Sequence, residues 1–312
     1  MPGTISTVGL RATDDCVQLN YLKWIALYEK ELPFQTFLPI PPDAIDQRRH
    51  NLVQEEGPPQ VIEDIRGREN EFHLDVHGFQ FFQHASALQG GSLYDKAAIK
   101  GIYLQEFAKF LQDNLDGADH IVVFDWRLRK ATMNEKAGRL MDYTDKLQRV
   151  GPTPRVHVDC TDAGLMRRIE SHCGKKAWKL LRGRVRMINM WRPVGAPIVD
   201  CPLALCDGRS YPNEGIVGVN MHKPGFLGVS GAATYREGMK WYYMNRQQDD
   251  EPVVFKNFDS DETVTPLTLH TAFYQSSIPP HSAPRESIEA RALVFTDPLG
   301  EESVDIRVEL DE

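Results

Sequence analysis

The sequence predicts a mainly β fold, a barrel or sandwich with flanking α-helices. Three observations carry this expectation. Runs rich in β-branched and aromatic residues recur through the second half, separated by turns rich in Gly, Pro and Asp. Helical periodicity is confined to a few short stretches. Finally, 312 residues with 41% hydrophobic and 26% charged side chains form an ordinary globular composition, enough to bury one large core.

The elements follow in chain order. Residues 1–90 mix polar segments with proline, as in LPFQTFLPIPPDAID and EEGPPQ, and read as an N-terminal arm of extended segments packed on the core. Residues 91–312 form that core, and the whole chain is expected to be one structural domain. The first helix starts near Tyr94, with Ile99, Ile102, Tyr103, Phe107, Phe110 and Leu111 at helical spacing and Gly117 available as a left-handed stop. His120 to Leu128 reads as a buried strand, and about Asn134 to Leu147 as a second, more polar helix. Strands are expected at Arg155 to Asp159, Arg184 to Trp191, Trp241 to Met244, Val253 to Phe258 and Ser287 to Phe295. One helix interrupts them, capped by Thr161 or Asp162, turning Leu165, Met166 and Ile169 inward and ending at Gly174.

A formal charge of −8 opposes a phosphate backbone, so nucleic acid is not an expected partner. No apolar run approaches the roughly 18 residues that span a bilayer, and the N-terminus does not read as a leader, so a cytoplasmic protein is expected. The five cysteines, Cys16, Cys160, Cys173, Cys201 and Cys206, are scattered without a CxxC pair and read as reduced thiols.

His157 and Asp159 stand at i and i+2 of a strand end, so both side chains point to one face while Val158 points away. His270, in LTLHTAF, is the candidate third ligand. Two histidines and a carboxylate on one face of Fe(II) leave positions open for a bidentate 2-oxoacid and O2. A His-x-Asp pair alone is weak evidence among ten histidines, and His73-Leu74-Asp75 is a second match. The signal sharpens with Arg285 and Ser287, which share a strand face 15 residues beyond His270 and could clamp one carboxylate of 2-oxoglutarate. Glu289 and Arg291 continue that face, as an internal ion pair or as ligands. Asn189 falls on an apolar inward face, where its amide could bond the co-substrate or a buried backbone group. Tyr103, Trp191 and Tyr243 are candidates to line a substrate cavity, with core packing as the alternative.

The segments IEDIRGRENEFHLDVHGF, HIVVFDWRLR, VHVDCTDAG, NMWRPVGAPIVDCPLALCD, VVFKNFDS, LHTAF and PRESIEARALVF cover most of the chain from about residue 60 onward. Together they resemble a family of fungal tailoring oxygenases that includes the gibberellin desaturase and related secondary-metabolite hydroxylase/desaturases. The resemblance implies a double-stranded β-helix, the cupin-like jelly-roll barrel, with Fe(II) at His157, Asp159 and His270 and 2-oxoglutarate at the RES segment. It also implies O2 as co-substrate, ascorbate as reductant, and hydroxylation or desaturation of a small secondary metabolite by hydrogen abstraction. A homodimer is left open. Two departures stand out. The His270 to Arg285 spacing is longer than in plant-type relatives, which keeps Arg291 as an alternative anchor, and Cys160-Thr161 replaces the polar pair usual after the His-x-Asp motif. A non-catalytic accessory or ligand-binding protein, and a zinc hydrolase, are the competing classes.

Overall fold

Side-chain alternation along the strands of the second half builds two β-sheets that face each other across the site. The computed structural model describes residues 11–88, 94–131, 145–297 and 305–308. The six-stranded sheet runs in the order Asp305–Val308, His120–Lys130, Glu286–Phe295, Val185–Pro193, Val253–Asp259, Phe79–Phe81. The nine-stranded sheet is longer but made of shorter strands, with Leu203–Cys206, His270–Ala272, His157–Val158 and Phe226–Ala233 at its centre. The fold is mainly β with few helices.

The central strands of the six-stranded sheet are buried on both faces, which explains their nearly unbroken apolar sequences. Its outer face carries Ile121, Val123, Trp126, Ile188, Met190, Ile288, Ala290 and Ala292 against the helix that ends at Asn114. Leu104, Phe107 and Leu111 of that helix are fully buried there, each contributing about 1.5 to 3 kcal/mol of apolar transfer. The helix begins as Lys96–Ala98 and passes through one π turn, Ile99–Tyr103, before Leu104–Asn114. The π turn shifts the helical phase, and Ile102, expected inward, is instead 41% exposed. Gly117, with φ of 62°, turns the chain into the next strand.

Residues 11–88 supply strands to both large sheets and a separate two-stranded pair, Asn20–Leu22 with Gln54–Glu56. Asp15–Val17 and Phe34–Thr36 close the two edges of the nine-stranded sheet, and Phe79–Phe81 closes one edge of the six-stranded sheet. Leu19 and Tyr21 cover the outer face of the nine-stranded sheet, packing with Val158, Trp241 and Tyr243.

Thr161 caps the helix Asp162–Cys173 by accepting the Gly164 amide, and Gly174 ends it with a positive φ. A Cβ at Gly164 would lie 2.3 Å from the Val229 carbonyl oxygen, so glycine lets this helix press directly onto the Phe226–Ala233 strand. Leu165 and Ile169 point inward as expected, but Met166 is 49% exposed and Arg168 takes the inward side. The polar helix expected over about 134–147 lies outside the described residues as far as 144, and 145–147 is not helical. The hairpin Ile216–Lys223 and Phe226–Ala233 was not anticipated, because its glycines and alternating half-buried residues weaken the strand pattern. No disulfide forms among the described residues. No helix among them is long and apolar enough to cross a membrane.

Candidate metal centre and adjoining cavity

His157 and His270 lie directly opposite each other on neighbouring antiparallel strands, with ring centroids 4.3 Å apart. Asp159 follows one residue beyond the His157–Val158 strand. One donor atom from each of the three side chains lies within 4.8 Å of the other two, a spacing that a single metal ion can bridge. Val158 points the other way, into the outer apolar cluster, as strand alternation requires.

The surroundings orient two of the three donors, His157 and Asp159. His157 Nδ1 is 2.7 Å from the Arg155 carbonyl and donates to it, leaving Nε2 as the lone-pair nitrogen, 3.8 Å from Asp159 Oδ1. Asp159 Oδ2 accepts from Arg291 Nε at 2.8 Å and Asn189 Nδ2 at 2.7 Å, so Oδ1 is the oxygen left to face the histidines. The Asp159 backbone amide donates to Asn257 Oδ1 at 2.9 Å. Burial, then the neighbouring His270, holds the His157 imidazole well below its usual pKa, and burial lowers His270 as well. Both rings are therefore neutral donors near pH 7. Burial pushes the Asp159 carboxyl upward, but Arg291 first, with the Asn189 amide, opposes it and the group is held well below the usual carboxylate range.

Two β-bulges aim the groups that hold Asp159. Asn257 is the extra residue between Lys256 and Phe258, and Phe124 is the extra residue opposite Arg291 and Ala292. The second bulge resets the alternation: Val123 and Trp126 both face the helix, so Asp125 turns inward onto Arg291.

Arg285 and Arg291 occupy contrasting environments. Arg291 contacts three carboxylates, Asp125 at 2.8 Å, Asp159 at 2.8 Å and Glu289 at 2.7 Å. Arg285 is 2% exposed, donates to the Cys201 carbonyl at 2.8 Å, and lies over the Trp191 ring at 5.3 Å. Its backbone amide donates to the Asp200 carboxylate at 3.0 Å, but its guanidinium forms no ion pair with a carboxylate among the described residues, and its Nε and the Ser287 hydroxyl are both buried without a hydrogen-bond partner there. Arg285 and Trp191 line a narrow pocket together with His157, His270, Arg129 and Thr153. Asn189 joins Asp159 to Glu289, so its amide bonds carboxylates rather than backbone.

Tyr103 and Tyr243 are placed elsewhere. Tyr103 belongs to the helix outside the six-stranded sheet, under Arg192. Tyr243 lies on the outer face of the nine-stranded sheet, its hydroxyl bonded to the Thr13 carbonyl. Neither lines the pockets at the triad, because strand and helix phase turn both away from the space between the sheets. Of the three aromatic candidates, Trp191 alone reaches that space. The competing pair is also separate: His73 is exposed, while Asp75 bonds Lys256 at 2.5 Å and Arg184 at 3.0 Å.

A second, larger cavity of ≈ 290 Å³ opens beside His157 and Asp159. Its wall carries Arg127, Arg129, Arg155, Arg168, Lys223 and Arg291, against the acids Asp125 and Asp159. Asp125, Asn257 and Arg168 were not anticipated as site residues. Their signal was a polar residue inside an apolar pattern: Asp125 in VVFDW, Asn257 in VVFKNF, and Arg168 on the helix stripe of Leu165 and Ile169.

A family described as oxidoreductase/YMDC permease-like domain matches residues 19–295. The chain is 33% identical over 242 residues to Fe(II)/2-oxoglutarate-dependent dioxygenase nvfI of Aspergillus novofumigatus, covering 74% of this chain and 81% of that protein. It is 30% identical over 274 residues to alpha-ketoglutarate-dependent dioxygenase tstK of Talaromyces stipitatus, covering 85% of this chain and 96% of that protein. A solved structure of the iron and alpha-ketoglutarate-dependent endoperoxidase NvfI superposes with a TM-score of 0.76 at 28% identity, over 91% of this chain and 98% of that one.

Proposed function

The chain belongs to the family of fungal Fe(II)/2-oxoglutarate-dependent dioxygenases and hydroxylase/desaturases of secondary metabolism, and on that premise we propose how its residues divide the work. His157, Asp159 and His270 hold the iron, Arg285 with Ser287 holds the far carboxylate of 2-oxoglutarate, and the larger cavity admits a small-molecule substrate for hydroxylation or desaturation. The supporting observation is the buried Arg285, whose guanidinium forms no ion pair with a described carboxylate and which shares a pocket with both histidines and Glu289. A buried charge left without an anion costs several kcal/mol, so a bound dicarboxylate answers a need already built into the fold.

The donor chemistry fits the implied metal. Two neutral imidazoles and one ionised carboxylate form a facial set suited to Fe(II), and His157 and Asp159 are each oriented by a second group. When bound, Fe(II) with 2-oxoglutarate and O2 supplies the oxidising power to remove hydrogen from an unactivated carbon. The chain orients and shields. Arg291 and Asn189 fix Asp159 Oδ2 and thereby direct Oδ1 toward the histidines. Arg155 selects the His157 tautomer through its carbonyl. Trp191 packs the Arg285 guanidinium and keeps water from its face. The two facing sheets are read as a double-stranded β-helix, with ascorbate as reductant and the cytoplasm as its place. The partner is a small molecule, not nucleic acid or membrane, and a homodimer is compatible with this reading. An accessory or purely binding role would leave the triad and Arg285 without a task.

Slow succinate release from 2-oxoglutarate is expected with Fe(II), O2 and ascorbate in the absence of substrate, because an assembled iron site turns over uncoupled. Complete absence of succinate, both without substrate and across a broad panel of small molecules, would favour the accessory role.

A further inference from the structure

The protein as a whole is acidic, yet the cavity wall beside the triad carries six basic side chains and two acidic ones. Such a reversal of sign in a concave site focuses anions there. Most of this local charge is not available to a ligand on equal terms. Arg291 is held by three carboxylates, Arg129 lies 3.7 Å from Glu289, and Asp125 also engages Lys146 at 2.5 Å.

Arg168 differs. Its guanidinium carbon lies over two rings, 4.7 Å from the Phe124 centroid and 4.6 Å from that of Phe226. It forms no ion pair with any described carboxylate, and Asp125 and Asp159 act on it only at longer range. Its backbone is fixed as well. Arg168 stands one turn after Gly164, where the helix touches the Phe226–Ala233 strand, and the bulge at Phe124 brings the other ring into place. The two rings lie against the guanidinium, so its remaining N–H groups are the route for hydrogen bonding; the Cys160 thiol is one neutral partner they already have. Those groups match a carboxylate, which they can hold through two parallel charge-assisted bonds. Met221, Phe226 and Val229 in the same wall supply apolar surface for a carbon skeleton.

We infer that the substrate of this site bears a carboxylate and that Arg168 is the side chain that engages it. The inference rests on the larger cavity being the substrate site of the proposed iron centre.

The test uses aryl and polycyclic carboxylic acids, each paired with its own methyl ester, dialysed against metal-free protein so that binding to iron contributes nothing. Retention is read by mass spectrometry for the wild type, Arg168→Gln and Arg168→Lys. The wild type should retain acids over their esters by roughly tenfold or more, the range of a charged hydrogen bond. The ratio should fall close to one in Arg168→Gln and lie between the two in Arg168→Lys, with thermal melting confirming that each variant is folded. An acid-to-ester ratio near one in the wild type, or the same ratio in wild type and folded Arg168→Gln, would overturn the inference. Fe(II)-dependent binding of 2-oxoglutarate to the wild type, measured separately by calorimetry, tests the iron-centre reading on its own.

Discussion

The start and the middle of the Glu286–Phe295 strand begin alike and finish differently. Both place an arginine on the face between the sheets, Arg285 just before the strand and Arg291 within it, and both side chains are buried. At Arg291 the fold supplies Asp125, Asp159 and Glu289, so the charge is compensated before any ligand arrives. At Arg285 it supplies a carbonyl and an indole face, with no described carboxylate paired to the guanidinium. Burial first, opposed by these anions, leaves Arg291 with its proton held more tightly than usual, whereas burial lowers the pKa of Arg285. A compensated cation is architecture. A guanidinium without an ion pair, in a pocket beside candidate metal ligands, is the feature on which the proposed binding of 2-oxoglutarate rests, because an anion there offsets the cost of its burial.

The largest effect expected on this comparison comes from the triad itself. His157→Ala, Asp159→Ala and His270→Ala should each abolish turnover and weaken Fe(II) binding, read by metal analysis after anaerobic loading. His73→Ala should retain full metal affinity, and the reverse result would show that the wrong His-x-Asp pair has been chosen. Next in size is Arg291→Gln, which leaves three carboxylates facing one another. It should destabilise the fold by about 3 to 5 kcal/mol in denaturant unfolding. A change below about 1 kcal/mol would mean that the network is solvated and that the contrast between the two arginines is smaller than drawn.

Much of this arrangement was legible in the sequence, and the rest was hidden for identifiable reasons. Strand alternation alone put His157 and Asp159 on one face with Val158 opposite, and the structure has that geometry. Thr161 or Asp162 and Gly174 marked the ends of their helix, and Thr161 is the cap. What alternation cannot reveal is which of two buried faces looks into the site. Tyr243 and Trp191 both sit on buried strands, yet Tyr243 faces outward under the N-terminal segment and Trp191 faces the pocket. The bulges at Phe124 and Asn257 were also hidden, since one extra residue changes the phase without altering composition. Arg168 was obscured by Met166, whose greater hydrophobicity suggested the inward position that the helix phase gives to the arginine.

The most direct measurement is the apparent KM for 2-oxoglutarate in Arg285→Gln and Arg291→Gln, with unfolding curves recorded on the same preparations. A crossed pattern is expected. Arg285→Gln should raise KM by roughly ten- to a hundredfold, matching about 1.5 to 3 kcal/mol for a lost charged contact, with Ser287→Ala shifting it less in the same direction. Its stability should change less than that of Arg291→Gln. A KM defect confined to Arg291→Gln, with Arg285→Gln behaving as wild type toward 2-oxoglutarate, would contradict the account and move the anchor six residues along the strand.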